Sequence, residues 1–173
     1  MYFAPEFTVI ACETVDEEAL QSWAAVNSGR WRPAEESRYS RRPAHVQWDF
    51  GPRRWMQAEV GTLSDQERAE WVPLMHKPPR SVVDVELSKN LEDEDEPRAD
   101  LIIRSMFTHW DGYAYDLGAH EWVSELLRDI LPTERIIRYE PPPPGPLPAW
   151  IWIDGIYKKR PTDDDRDADK GTG

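Results

Sequence analysis

The sequence predicts an α+β fold: a mostly antiparallel sheet covered on one face by about three helices. Three observations lead there. Short apolar stretches of period two alternate with stretches of helical spacing. Gly- and Pro-containing breaks between strand-like stretches suit antiparallel hairpins better than long parallel crossovers. A chain of 173 residues holds one well-buried core but not two comfortable domains. The opening order of strand, helix, hairpin, helix and strand also matches a ferredoxin-like first half.

Residues 7–12, FTVIAC, are continuously apolar and predict a buried strand. Thr14 and Glu17 are spaced as a capping box, and Val15, Ala19, Leu20, Trp23 and Ala24 share one helical face that Gly29 ends. Residues 30–44 show neither period and predict a long loop. Val46, Trp48 and Phe50 then alternate with His45, Gln47 and Asp49, and residues 55–60 alternate again after Gly51-Pro52, predicting a hairpin. Ser64 and Glu67 form a second capping box, opening a short helix that Pro73 ends.

Val83, Val85 and Leu87 predict a strand whose other face carries Asp84 and Glu86. Five carboxylates follow, Glu92, Asp93, Glu94, Asp95 and Glu96, and mutual repulsion predicts an exposed loop. Residues 101–107 are dense in apolar side chains and predict a central strand, with Asp111-Gly112 as the turn behind it. Ala119, Trp122, Val123, Leu126, Leu127, Ile130 and Leu131 form an apolar helical stripe that Pro132 stops. A short extended piece at 136–139 precedes a polyproline bridge at 141–148 and a final strand at 149–157. Residues 1–160 thus read as one domain, with 161–173 a disordered acidic tail.

Charge narrows the function classes. The net charge is −12, yet residues 30–54 carry seven arginines against three acidic residues. The overall balance argues against general nucleic-acid binding, which needs clustered cations. Arg30, Arg32, Arg38, Arg41 and Arg42, with Trp31 and Tyr39, form a local patch able to hold phosphates and stack on bases. Pairing with the protein's own carboxylates is the favoured use of that patch. Cys12 is the single cysteine, which excludes an internal disulfide and multi-cysteine metal sites. No leader or apolar stretch of membrane-spanning length is present, so a cytoplasmic protein without membrane contact is expected.

No glycine-rich phosphate loop, nucleophile elbow or H-E-x-x-H motif occurs, so neither metal nor cofactor is expected. The leading expectation is a small acidic, non-enzymatic protein-binding module engaging a basic surface, of the inhibitor, immunity or counter-defence type. Its expected contacts are Glu92 to Glu96, with Trp110, Tyr113 and Tyr115 as aromatic anchors and Asp111 and Asp116 as acceptors. The competing reading of that turn folds its aromatics back onto the sheet. One functional alternative is a metal-assisted hydrolase or nuclease using Asp84, Glu86, His109, Asp111 and His120. Another is a structural subunit of a larger assembly, viral for example, paired through the last strand. Composition leaves the oligomeric state open.

Overall fold

Continuous burial makes residues 7–12 the centre of the sheet. In the computed structural model, which describes residues 5–141 and the backbone of 150–153 and 156–159, strand β1 (Phe7–Ala11) is buried at every position. It pairs antiparallel with β7 (Ser81–Leu87) on one side and β8 (Gly112–Asp116) on the other. The sheet has seven strands in the order β2-β5-β6-β7-β1-β8-β9. Here β2 is Arg30–Arg32, β5 His45–Gly51, β6 Arg54–Gly61 and β9 Ile136–Arg138. Only β9 runs parallel to its neighbour.

Four α-helices join these strands: α1 (Glu17–Val26), α2 (Asp65–Trp71), α3 (Glu96–His109) and α4 (Glu121–Ile130). Strands β6, β7, β1 and β8 form an antiparallel core interleaved with α1 and α3, the arrangement of a ferredoxin-like fold. It therefore spans β1 to β8 rather than the first half alone, with β5 and β2 added at one edge and β9 at the other.

Alternation divides the sheet into two faces. Phe7, Val9, Val46, Trp48, Met56, Ala58, Val83 and Val85 point toward α1, α3 and α4 and form the main core with Leu20, Trp23, Ile103, Met106 and Leu127. Trp23 joins α1 to α3 through a hydrogen bond from its indole N–H to Ser105 Oγ (3.2 Å) and packs on Trp48 and Trp110. On the second face Ile10, Val82 and Tyr113 pack with Trp71 of α2. Three helices thus cover one face as expected, and the fourth lies on the other.

Several local expectations are corrected. Residues 101–107 are helical, not a strand: Ala99, Ile102, Ile103 and Met106 are buried at helical spacing while Leu101 is 70% exposed. The Asp111-Gly112 signal accordingly marks a helix-to-strand junction. Gly112 is required there because a Cβ would lie 2.5 Å from the Ile10 carbonyl oxygen. Asp16, not Thr14, caps α1 by accepting from the Ala19 N–H (2.8 Å). Helix α1 ends with Ser28 at φ 62 and the Gly29 N–H donating to the Ala24 carbonyl (2.8 Å), a left-handed cap. The Ser64–Glu67 capping box of α2 forms as expected.

The segment expected as a loop at 30–44 contains β2 and a hairpin of β3 (Glu35–Glu36) and β4 (Arg41–Arg42). Its tip is held by hydrogen bonds between Ser37 and Ser40, including Ser37 N–H to the Ser40 carbonyl (2.8 Å).

Residues 1–139 and 140–173 are two compact units. In the second, β10 (Trp150–Ile153) pairs antiparallel with β11 (Ile156–Lys159) in a two-stranded sheet. The single final strand expected at 149–157 is thus divided between β10 and the first two residues of β11. The tail at 161–173 and all of the proline bridge except Pro141 lie outside the described residues. No helix among the described residues is long and apolar enough to cross a membrane.

Candidate functional site: an acidic groove between two helices

Amphipathic helices bury their apolar stripes and turn their charges outward, and α3 and α4 do so side by side. The outward face of α4 is acidic, with Glu121, Glu125 and Asp129 against Arg128, whereas α3 carries Glu96 and Asp100 against Arg98 and Arg104. Between them lies a groove of about 460 Å³ whose walls carry Asp93, Glu96 and Asp100 from the α3 side and Glu125 and Asp129 from α4. Its floor is apolar, formed by Pro97, Trp122 and Leu126. Five carboxylates thus face a single cation, Arg104.

Arg104 bridges the helices, bonding Asp100 one turn earlier and Asp129 of α4 (2.5 Å). Asp93, Glu96 and Glu125 have no ion-pair partner among the described residues. These three carboxylates are free of direct pairing, and apolar side chains line the groove beside them. A cationic group carried on an apolar or aromatic stem matches both features.

The five-carboxylate run is only partly available to a partner. One nitrogen of Arg54, Nη1, lies 3.2 Å from Glu92, 2.7 Å from Glu94 and 3.2 Å from Asp95. Asp95 is only 5% exposed and also accepts the Glu92 backbone N–H (3.0 Å). The expected exposed loop is thus wrapped around an arginine from the β5–β6 hairpin. Asp93 and Glu96 remain on the groove.

The aromatic turn near residue 110 is largely internal. Trp110 is 3% exposed and Tyr113 fully buried, so neither offers surface as an interface anchor. Tyr115 packs on Trp71 and Tyr139. The buried Asp116 accepts from the Gly118 N–H and the Ser124 hydroxyl. Asp111 is at the surface but engaged by Lys77 (2.6 Å) and Arg135 (3.0 Å). Those bonds, Lys77 foremost, hold its carboxyl below the usual carboxylate range.

The residues of the catalytic alternative are dispersed. His109 stacks edge-on against Trp110, and His120 Nδ1 lies 2.7 Å from Glu6 Oε2. Asp84 and Glu86 do share the second sheet face, where Glu59 stands opposite Asp84 and Gln57 opposite Glu86. Arg42 donates to Gln57 (2.7 Å), Gln57 to Glu86 (2.6 Å), and the Thr8 hydroxyl to Asp84 (2.7 Å). Burial raises the pKa of Glu59, Asp84 and Glu86, and neighbouring carboxylates add to the rise. The cavity they line, about 40 Å³, admits water but no substrate. No group of three or more His, Cys, Asp or Glu among the described residues is arranged to hold a metal ion. Cys12 is half-buried, and burial raises its thiol pKa, which disfavours the nucleophilic thiolate.

The residues missed by sequence reasoning are Asp100, Glu125, Asp129 and Trp122. Glu125 and Asp129 fall on the polar side of α4, opposite its apolar stripe, and Asp100 precedes the segment expected as a strand. The Asp100–Arg104 spacing, an i,i+4 ion pair, was the available clue. Together the fold and groove define a class: an α+β domain presenting an acidic, apolar-floored surface. Comparison with protein-family models, curated proteins and solved structures finds no match for this chain.

Proposed function

We propose that this protein is a non-enzymatic binding module whose acidic groove between α3 and α4 receives a basic segment of a partner protein. The observation that carries this reading is the set Asp93, Glu96 and Glu125, unpaired over the Pro97–Trp122–Leu126 floor. Unpaired carboxylates accelerate encounter with a cationic surface, and Pro97, Trp122 and Leu126 add a modest apolar contact. Inhibitors and immunity-type proteins that mask nucleic-acid-binding surfaces work by this physics. A single cysteine, with no second one to pair with, is compatible with a reducing compartment such as the cytoplasm.

Bait pull-down from lysate tests the reading, comparing wild type with Asp93→Asn/Glu96→Gln/Glu125→Gln. A basic protein retained by wild type and lost from the triple variant is the expected result. Equal recovery by both baits would remove the groove from the function.

A further inference from the structure

The hairpin β3–β4 is the chemical complement of the groove. Its tip presents Tyr39, 89% exposed, with the Arg38 guanidinium 5.9 Å from the ring centroid. Among the described residues Arg41 is held by an exposed pair with Glu36 (3.1 Å). Arg30, Arg32 and Arg38 have no ion-pair partner among the described residues. The Ser37–Ser40 hydrogen bonds fix the turn, so little conformational entropy is lost when the tip docks. Tyrosine and arginine are the side chains that most often anchor interfaces, and here both project from a preformed tip.

Hairpin and groove of one chain are well separated. The hairpin follows edge strand β2, and Arg42 ties its base to Gln57 on the second sheet face. The groove lies among the helices of the first face: its α4 wall is against β8, five strands from β2, and its α3 wall is tied through Arg98 to the Asp49 carbonyl (3.2 Å) near the end of β5. The hairpin enters β5 at its His45 end and is tied to the second face, whereas that α3 wall meets β5 at its Asp49 end on the first face. A second copy supplies the complementary surface without that constraint.

We infer that the groove of one copy receives the β3–β4 hairpin of another, with Tyr39 on the Trp122–Leu126 floor and Arg38 and Arg41 against Asp93, Glu96 and Glu125. The inference rests on the proposed function of the groove and assigns it a second copy of this chain as a partner. Donor and acceptor surfaces differ, so the contact is head-to-tail and extends into open chains or closes into rings.

Sedimentation velocity on the full chain decides it. Wild type should gain mass with concentration at about 0.1 M salt and revert to monomer near 1 M, as the Debye length shrinks from about 10 Å to about 3 Å. Arg38→Glu/Tyr39→Ser/Arg41→Glu and Asp93→Lys/Glu96→Lys/Glu125→Lys should each be monomeric, with folding checked by circular dichroism. Mixed equimolarly, they should form a dimer and stop there, because each retains the surface the other lacks. Wild type that stays monomeric at high concentration in low salt overturns the inference, as does an unchanged mass in either folded variant. A labelled nona-arginine peptide separates the two readings. Monomeric wild type that binds it through Asp93, Glu96 and Glu125 ends self-association alone, whereas monomeric wild type that does not bind it ends both.

Discussion

Replacing Glu59 by Gln should stabilise the protein at neutral pH. Glu59 on β6 stands directly opposite Asp84 on β7, and Glu86 shares the same face. Burial, then Asp84, then Glu86 raise its pKa, so the folded protein holds the Glu59 proton more tightly than the unfolded chain does. The stability contributed by that proton is fully present below about pH 4.3, the unfolded value, and is lost as pH rises through the folded value. At pH 7 the ionised Glu59 is therefore a net cost. Directly opposed like charges in a sheet destabilise by roughly 0.2–1 kcal/mol, which sets the gain expected from Glu59→Gln. For a chain of this size that amounts to a rise in Tm of roughly 0.5–4 °C. Thermal unfolding of wild type and variant, followed by tryptophan fluorescence at pH 7 and near pH 4, measures it. The advantage should shrink toward zero at the lower pH, where protonated Glu and Gln are near-isosteres. A lower Tm for the variant at pH 7, or an advantage that does not change with pH, would refute the reasoning.

Three further outcomes follow from local geometry. Arg54→Ala should lower the Tm and increase protease cutting near residues 92–96, because Asp95 loses its cation while remaining buried; unchanged cutting would show that the loop holds itself. Gly112→Ala should cost about 1–3 kcal/mol, since the new Cβ meets the backbone carbonyl of Ile10 and β1 must shift; a denaturation midpoint within error of wild type would contradict the close approach. Ser28→Gly should raise stability by up to about 1.6 kcal/mol. Relief of the left-handed backbone, about 1–2 kcal/mol, is partly offset by about 0.4–1 kcal/mol of unfolded-chain entropy. A loss of stability would place the cost elsewhere in the cap.

What could be read in the sequence was what local periodicity encodes. β1, β5, β6 and β7 carry alternation or continuous apolar runs, α4 a full apolar stripe, and α2 a complete capping box. Helix α3 was missed because Leu101, Ile102, Ile103, Met106 and Phe107 crowd into seven residues and mimic a central strand. Pro97 in its first turn and the Asp100–Arg104 spacing pointed the other way. The β3–β4 hairpin was hidden because its strands are two residues long and its order comes from side-chain hydrogen bonds of Ser37 rather than apolar patterning. The groove depends on how two helices meet, and no local pattern contains that. Reading residues 101–107 as a strand removed one wall of it.

The contact of Arg54 with Asp95 also bears on the order of folding. Helix α3 has no side-chain N-cap hydrogen bond, and the carboxylate before its first residue is held by an arginine 41 positions upstream. Arg54 reaches it only when the Gly51–Arg54 turn is closed, since its Nη2 bonds the Phe50 carbonyl across that turn (3.2 Å). The start of α3 is therefore expected to be secured no earlier than the β5–β6 hairpin, which would make helix formation there depend on a non-local contact. In a mutational analysis of the transition state, Trp48 and Met56 should carry higher φ-values than Ile103 and Met106.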